Sequence, residues 1–311
     1  MTILFDSLIP FFALMGLGAA TARFGRFSTE NTQGLSKLVF WIGMPAVLVL
    51  AFVKNDAIQM INWRLAAAYS GAVFVSLVAA RLAMVALGRS REEQAGTAMA
   101  SVMGNTAFFA FPLVQFVFGP AAAIIGALIL LIENLFVMPV AVAQLIAARD
   151  GRGWRTLVTA ARTSLLNPIV LGSALGFALS LSQIVLPISA LRTLELVAGT
   201  ATPAALFALG ATLVHLRSEV SSDGLMPVLV ATVAKLIVLP SLVFVAALAL
   251  DVDPFARNVA TLAAGAPTAV NVFVQARAYG IFGQGAARAV ALSTLLSAIT
   301  LSVLISMLHV A

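Results

Sequence analysis

The chain has 311 residues, of which 61% are hydrophobic and 10% charged, whereas a soluble domain carries about 25% charged residues, so a water-solvated globule of this size is excluded. No cysteine is present and the two histidines, His215 and His309, lie far apart, which excludes disulfides, thiolate chemistry and a histidine metal cluster, and leaves no cofactor to expect. The net charge of +6 is scattered over short connections without a basic stripe, so the cations read as membrane topology signals and not as a nucleic-acid surface.

Ten apolar stretches follow one another, each near the ~20 residues that cross a hydrocarbon core. They fall at 3–23, 33–53, 63–88, 95–118, 120–147, 163–183, 187–214, 225–250, 256–278 and 286–308. The first ends in Ala20-Thr21-Ala22, which loosely mimics a cleavage site. No cation precedes it, Asp6 stands where positive charge belongs, and Arg23 and Arg26 follow, so a retained helix is expected. Arg23-Phe24-Gly25-Arg26, Lys54-Asn55-Asp56 and Arg89-Ser90-Arg91-Glu92-Glu93 separate the first four stretches, and an uncharged Gly119-Pro120 separates the next two. The fourth stretch carries Gly104-Asn105-Thr106-Ala107-Phe108-Phe109-Ala110-Phe111-Pro112, and the fifth carries Glu133. A polar connection around Arg149-Asp150-Gly151-Arg152 then divides the chain into five-helix halves, 1–148 and 163–311, joined by a cytoplasmic loop over 149–162. Lys235 stands deep in the eighth stretch, and the ninth carries Gly265-Ala266-Pro267-Thr268-Ala269-Val270-Asn271.

The two halves match. Gly104 to Gly119 and Gly265 to Gly280 are each 16 residues, and the offset between them is 161. Met44-Pro45-Ala46-Val47-Leu48 in the second stretch pairs with Thr202-Pro203-Ala204-Ala205-Leu206 in the seventh, and Arg81 in the third with Lys235 in the eighth. A repeat of five spans inverts its second copy in the membrane, an arrangement found in many secondary transporters. With the N-terminus outside, the inner connections hold 12 Lys and Arg residues and the outer ones 4. That bias places both termini on the periplasmic side of an inner membrane.

Matched interruptions near mid-membrane are the sequence pointer to a transporter's binding site. Pro112 and Pro267 each remove a backbone donor and clash with the preceding turn, so they are read as interrupting their helices. Half-helix N-termini then carry partial positive charge toward the gap, which suits a carboxylate. Asn105, Thr106, Thr268 and Asn271 add neutral hydrogen bonds. A cation held by the freed carbonyls is the other reading, and the spacing leaves both open. Packing kinks and polar contacts between helices are the plain alternatives for Pro112 and the asparagines; the recurrence of Gly, Asn and Pro at a half-chain offset favours a site.

Ionisable groups within spans are functional candidates by default. Lys235 either neutralises a substrate carboxylate or balances an acidic partner. Glu133, the deep carboxylate, is either a proton-coupling group or a structural brace to Lys235. Arg81 is close enough to the cytoplasmic end to snorkel. Glu195 and Arg277 are expected near helix ends, Arg277 in the cytoplasmic vestibule.

The chain resembles the auxin efflux carrier family, whose bacterial relatives include malonate and malate permeases. The resemblance runs along the whole length. It rests on Gly34-Leu35-Ser36-Lys37-Leu38-Val39-Phe40 leading to Pro45, Gly104-Asn105-Thr106 with Pro112-Leu113, Lys235-Leu236-Ile237-Val238-Leu239-Pro240, and Ala266-Pro267-Thr268-Ala269-Val270-Asn271. It implies an all-α fold of ten transmembrane helices in two inverted repeats. The first two spans of each half would form a scaffold and the other three a transport domain. Broken spans four and nine would cross at the site, with an elevator-like movement. Asn105 and Pro112 match the fourth-span crossover, and Pro267 and Asn271 the ninth. The long central hydrophilic loop of the plant carriers is missing.

The function expected is therefore a carrier of small organic anions such as dicarboxylates or auxin-like carboxylates, without a catalytic or metal site and with proton or sodium coupling. A symporter resembling the bile acid carriers shares the ten-helix plan, but no cluster of acidic and amide sodium ligands is evident. An intramembrane enzyme would need a nucleophile with a base, or a metal; neither GxSxG nor HExxH occurs. A channel is distinguished by flux that does not saturate. Dimerisation through scaffold helices is expected by analogy alone.

Overall fold

A chain in hydrocarbon must satisfy its backbone internally, and a helix does so within one segment. The computed structural model describes residues 2–54, 62–149, 165–184, 186–216 and 224–309, with 158 and 162. Among them the regular structure is helical throughout, apart from one isolated β-bridge. The helices are α1 (Thr2–Arg23), α2 (Thr29–Val53), α3 (Trp63–Ala86), α4 (Arg91–Val102), α5 (Thr106–Phe118) and α6 (Ala122–Arg149). After the central connection come α7 (Pro168–Leu181), α8 (Ile188–Leu216), α9 (Leu225–Ala249), α10 (Pro254–Ala264), α11 (Val270–Ala278) and α12 (Gly283–His309). Six of them, α2, α3, α6, α8, α9 and α12, are long and apolar enough to cross a membrane unbroken. The expected loop at 149–162 lies almost wholly outside the described residues.

Local chemistry sets the helix ends. Ser90 and Glu93 form a reciprocal capping box at the start of α4, which satisfies two first-turn donors. Asp253 accepts from Ala256 N–H to cap α10, with Pro254 at its first position, where a missing donor costs nothing. Gly119 has φ +82°, a conformation that glycine adopts without strain, and so separates α5 from α6.

Among the described residues four helices contain a five-residue π turn: Val39–Gly43, Thr106–Ala110, Glu133–Val137 and Ala234–Val238. Each is followed two residues later by a proline: Pro45, Pro112, Pro139 and Pro240. The ring would clash with the carbonyl four residues back, and the wider turn absorbs that clash without ending the helix. This corrects the expectation for Pro112. Its helix runs on to Phe118, and the interruption lies eight residues earlier, where Met103 (φ −78°, ψ 99°) and Asn105 (φ −78°, ψ 56°) leave the helical region. Pro267 does lie within a gap, between the end of α10 and the start of α11.

The helices pack in a crossed pattern. α1 lies along α8, and α7 along α2, which also contacts α8. Gly18 and Gly210 bring α1 and α8 so close that a Cβ at either would collide with the backbone of Phe207 or Met15. Gly172 and Gly176 seat α7 on α2, where a Cβ would fall 2.7 Å from Pro45 Cα and 2.8 Å from Val49 Cα. Without hydrophobic drive between helices in lipid, such close approach is how they associate. Gly210→Val should therefore lower stability by roughly 3 kcal/mol, the upper range for overpacking, read as thermal unfolding in detergent. Gly16→Val, whose Cβ would meet nothing within 4 Å, should leave it unchanged.

The remaining helices, α3 to α6 and α9 to α12, surround the two interruptions. Phe74, Leu82, Val245, Leu295, Ile299 and Met307 are exposed on α3, α9 and α12. Apolar exposure on that scale is foreign to soluble monomers and is the surface that lipid covers.

Candidate functional site

The two interrupted segments meet backbone to backbone. Asn105 N–H donates to the Pro267 carbonyl at 2.8 Å, and Ala269 N–H donates to the Met103 carbonyl at 2.9 Å. These bonds frame an antiparallel bridge between Gly104 and Thr268. Asn105, Thr106, Pro267 and Thr268 thus come together from opposite halves of the chain. Asn271 stands half-buried in the first turn of α11, while Pro112 lies buried within α5, beyond its π turn.

Four half-helix ends converge here: the C-termini of α4 and α10, and the N-termini of α5 and α11. The carbonyl ends are partly occupied by the protein itself. Thr268 Oγ1 donates to the Ala100 carbonyl at 3.0 Å, Ala269 N–H takes that of Met103, and Lys235 Nζ donates to that of Ala264. The N–H ends differ. Thr106, Ala107 and Phe108 on α5, and Val270 and Asn271 on α11, find no acceptor for their N–H groups among the described residues. Asn105 Nδ2 is buried without a partner. A buried unmet donor costs about 1–3 kcal/mol, so such a cluster is expected where a ligand supplies the acceptor. Gly104, Ala107, Phe108, Val270 and Asn271 are half-buried, so the cluster is not sealed. Open donors of this kind suit an anion, while the carbonyls of Ser101, Val102, Gly265 and Ala266 likewise find no donor among the described residues.

Lys235 is fully buried in the α9 π turn and caps the last carbonyl of α10, where the helix dipole favours a cation. A Cβ on Gly104 would lie 3.2 Å from Lys235 Nζ and 3.1 Å from Thr106 Oγ1, so glycine makes room for the ammonium. Glu133, in the α6 π turn, accepts from Tyr69 Oη at 2.8 Å. It experiences the charge of Lys235 and neighbours the Thr106 hydroxyl, but it makes no direct ion pair with Lys235. The expected brace between the two is thus not a contact. Arg81 donates to Gln144 Oε1 at 3.1 Å and is half-buried, so it is held by α6. Glu195 pairs with Lys54 at 2.7 Å, both about half exposed, a contact worth roughly 0–1 kcal/mol. Arg277 lies exposed on α11, 5.9 Å from the Phe273 ring centre. No group of three or more His, Asp or Glu side chains among the described residues could hold a metal.

Three contacts carry no forecast in the sequence. Tyr69 is one of only two tyrosines, and its place within an apolar span was the available signal. Asn167 Nδ2 donates to Asn134 Oδ1 at 2.7 Å and ties α7 to α6; the Asn-Pro pair at a helix start was the trace it left. Ser293 Oγ accepts from Thr268 N–H at 3.0 Å from α12, and no local pattern marks it.

Apolar helices long enough to cross a membrane several times, broken at a buried polar centre, define a multi-pass membrane transport protein. The chain belongs to the auxin efflux carrier family, whose model, described as "Membrane transport protein", matches residues 3–305. It is 29% identical over 313 aligned residues to a protein named "Putative malonate transporter" from Rhizobium meliloti (strain 1021), covering 97% of this chain and 95% of that one.

Proposed function

We propose that this protein is a secondary carrier of small organic anions, with dicarboxylates such as malonate as the first candidates. The observation that supports it best is the polarity of the crossing. First-turn N–H groups of α5 and α11, with Asn105 Nδ2, find no acceptor among the described residues and are left for a ligand's oxygens. The name of the Rhizobium meliloti relative agrees with a carboxylate substrate. Asn105, Thr106 and Asn271 are the direct ligands in this reading. Pro267 and Thr268 hold the backbone crossing, and Pro112 shapes α5 through its π turn.

The architecture proposed is ten spans in two inverted repeats, 1–148 and 163–311. α4 with α5 and α10 with α11 make the broken fourth and ninth spans. In support, the first span of each half packs on the second span of the other, α1 on α8 and α7 on α2, as a pseudo-twofold axis requires. Those four helices are the natural fixed frame, past which the others carry the site in an elevator-like movement. Both termini face the periplasm of the inner membrane.

Purified protein in proteoliposomes should take up radiolabelled malonate or malate saturably. Asn271→Ala should reduce uptake about 10- to 100-fold, the effect of one hydrogen bond to a charged group at 1.5–3 kcal/mol. Unsaturable flux would point to a channel, and full activity in the variant would remove α11 from the site.

A further inference from the structure

We propose that Glu133 carries one proton with each singly charged anion, so that transport is electroneutral proton–anion symport. This rests on the carrier reading above and adds the coupling group and its stoichiometry. The argument is a charge count. Lys235 and Glu133 are both buried beside the crossing and make no ion pair; in their ordinary charged forms one is positive and the other negative. The empty centre is therefore neutral. An anion entering alone leaves a net negative charge away from water, a strongly unfavourable state. A proton placed on Glu133 restores neutrality, and one carboxylate accepts only one proton. A dicarboxylate accordingly travels in its singly charged form.

The surroundings of Glu133 suit both of its states. Tyr69 faces it from α3, Thr106 from α5 and Lys235 from α9. The Tyr69 hydroxyl donates to the carboxylate now, and the same oxygen can accept from the protonated acid. Asn134, next along α6, is committed to the Leu130 carbonyl and to Asn167. Lys235 is held by the Ala264 carbonyl at the α10 C-terminus, where the helix dipole favours its charged form. Thr106 has a hydroxyl without a settled partner at the first position of α5. It stands between Glu133 and the open donors. Once Glu133 is protonated, that hydroxyl is free to donate to the anion. Proton and anion then each favour the other's binding by the same factor. The proton is taken from the water on the side where the anion enters and is returned with it on the other.

The test uses proteoliposomes with an internal pH dye, radiolabelled malonate and imposed potentials. Wild type should accumulate malonate under an inward proton gradient, move one proton per anion charge, and ignore a valinomycin-imposed potassium potential. Glu133→Gln should lose the proton carried by the protein, keeping only the one that singly charged malonate itself brings, and should keep malonate counterflow exchange. Its empty centre now carries the Lys235 charge, so net flux should become sensitive to potential. Tyr69→Phe, which keeps the carboxylate, should stay proton-coupled with a shifted pH profile. Two protons per malonate in Glu133→Gln, loss of exchange together with net flux, or an unchanged profile in Tyr69→Phe would each overturn the proposal. Saturable wild-type flux without protons removes this inference and spares the carrier. No saturable carboxylate flux removes both.

Discussion

Lys235→Met is expected to be the most damaging single substitution in this chain. The side chain is fully buried, and its ammonium serves two groups at once. Methionine fills a similar volume, so what is lost is charge and a donor, with little packing change. The Ala264 carbonyl would be left without its partner at the end of α10, which costs about 1–3 kcal/mol. Glu133 would lose the positive charge it lies near, which leaves a buried carboxylate less well compensated. Thermal unfolding in detergent should show a loss at least as large as that of Gly210→Val. The double variant Lys235→Met with Glu133→Gln should recover part of it, because the stranded charge is then gone while the stranded carbonyl remains. A double variant no more stable than Lys235→Met alone would show that the two charges are not coupled, and the charge count above would fall with it.

Much of the helical layout was legible because lipid imposes it. Apolar runs near twenty residues can do little else, and the ends of α2, α3, α6, α8, α9 and α12 fall within a few residues of the expected bounds. The interruptions were legible too, through Gly104-Asn105 and Pro267, since glycine, asparagine and proline disfavour continued helix. Pro112 misled for a physical reason. A proline ends a helix only if the preceding turn cannot widen, and here four π turns widen in the same way. Those turns carry Thr106, Glu133, Asn134 and Lys235 in their first two positions, a coincidence with the prolines that shows only once the backbone is known. Which groups at the break the protein itself satisfies was not legible at all. Both kinds of helix end converge there, and the partners Lys235, Ser293 and Thr268 reach across from elsewhere.

Asn105→Ala and Thr268→Val should separate binding from stability at one crossing. Both residues are buried in the same bridge, yet their side chains are in opposite situations. Asn105 Nδ2 has no partner, and the hydrogen bonds around the residue belong to its backbone N–H and carbonyl, which alanine keeps. Truncation should therefore cost less than about 1 kcal/mol of stability, as for substitutions that break no contact. If that amide is an anion ligand, malonate uptake should fall about 10- to 100-fold, for 1.5–3 kcal/mol in a bond to a charged group. Thr268 Oγ1 already donates to the Ala100 carbonyl in a fully buried place. Valine there strands the carbonyl and should lower stability by about 1–3 kcal/mol, while the concentration of malonate giving half-maximal uptake stays near the wild-type value. The open-donor site requires this crossed pattern, weak transport with a sound fold on one side and a weak fold with sound affinity on the other. Asn105→Ala protein that unfolds as early as Thr268→Val but keeps wild-type affinity would make the amide a structural contact and place the anion elsewhere.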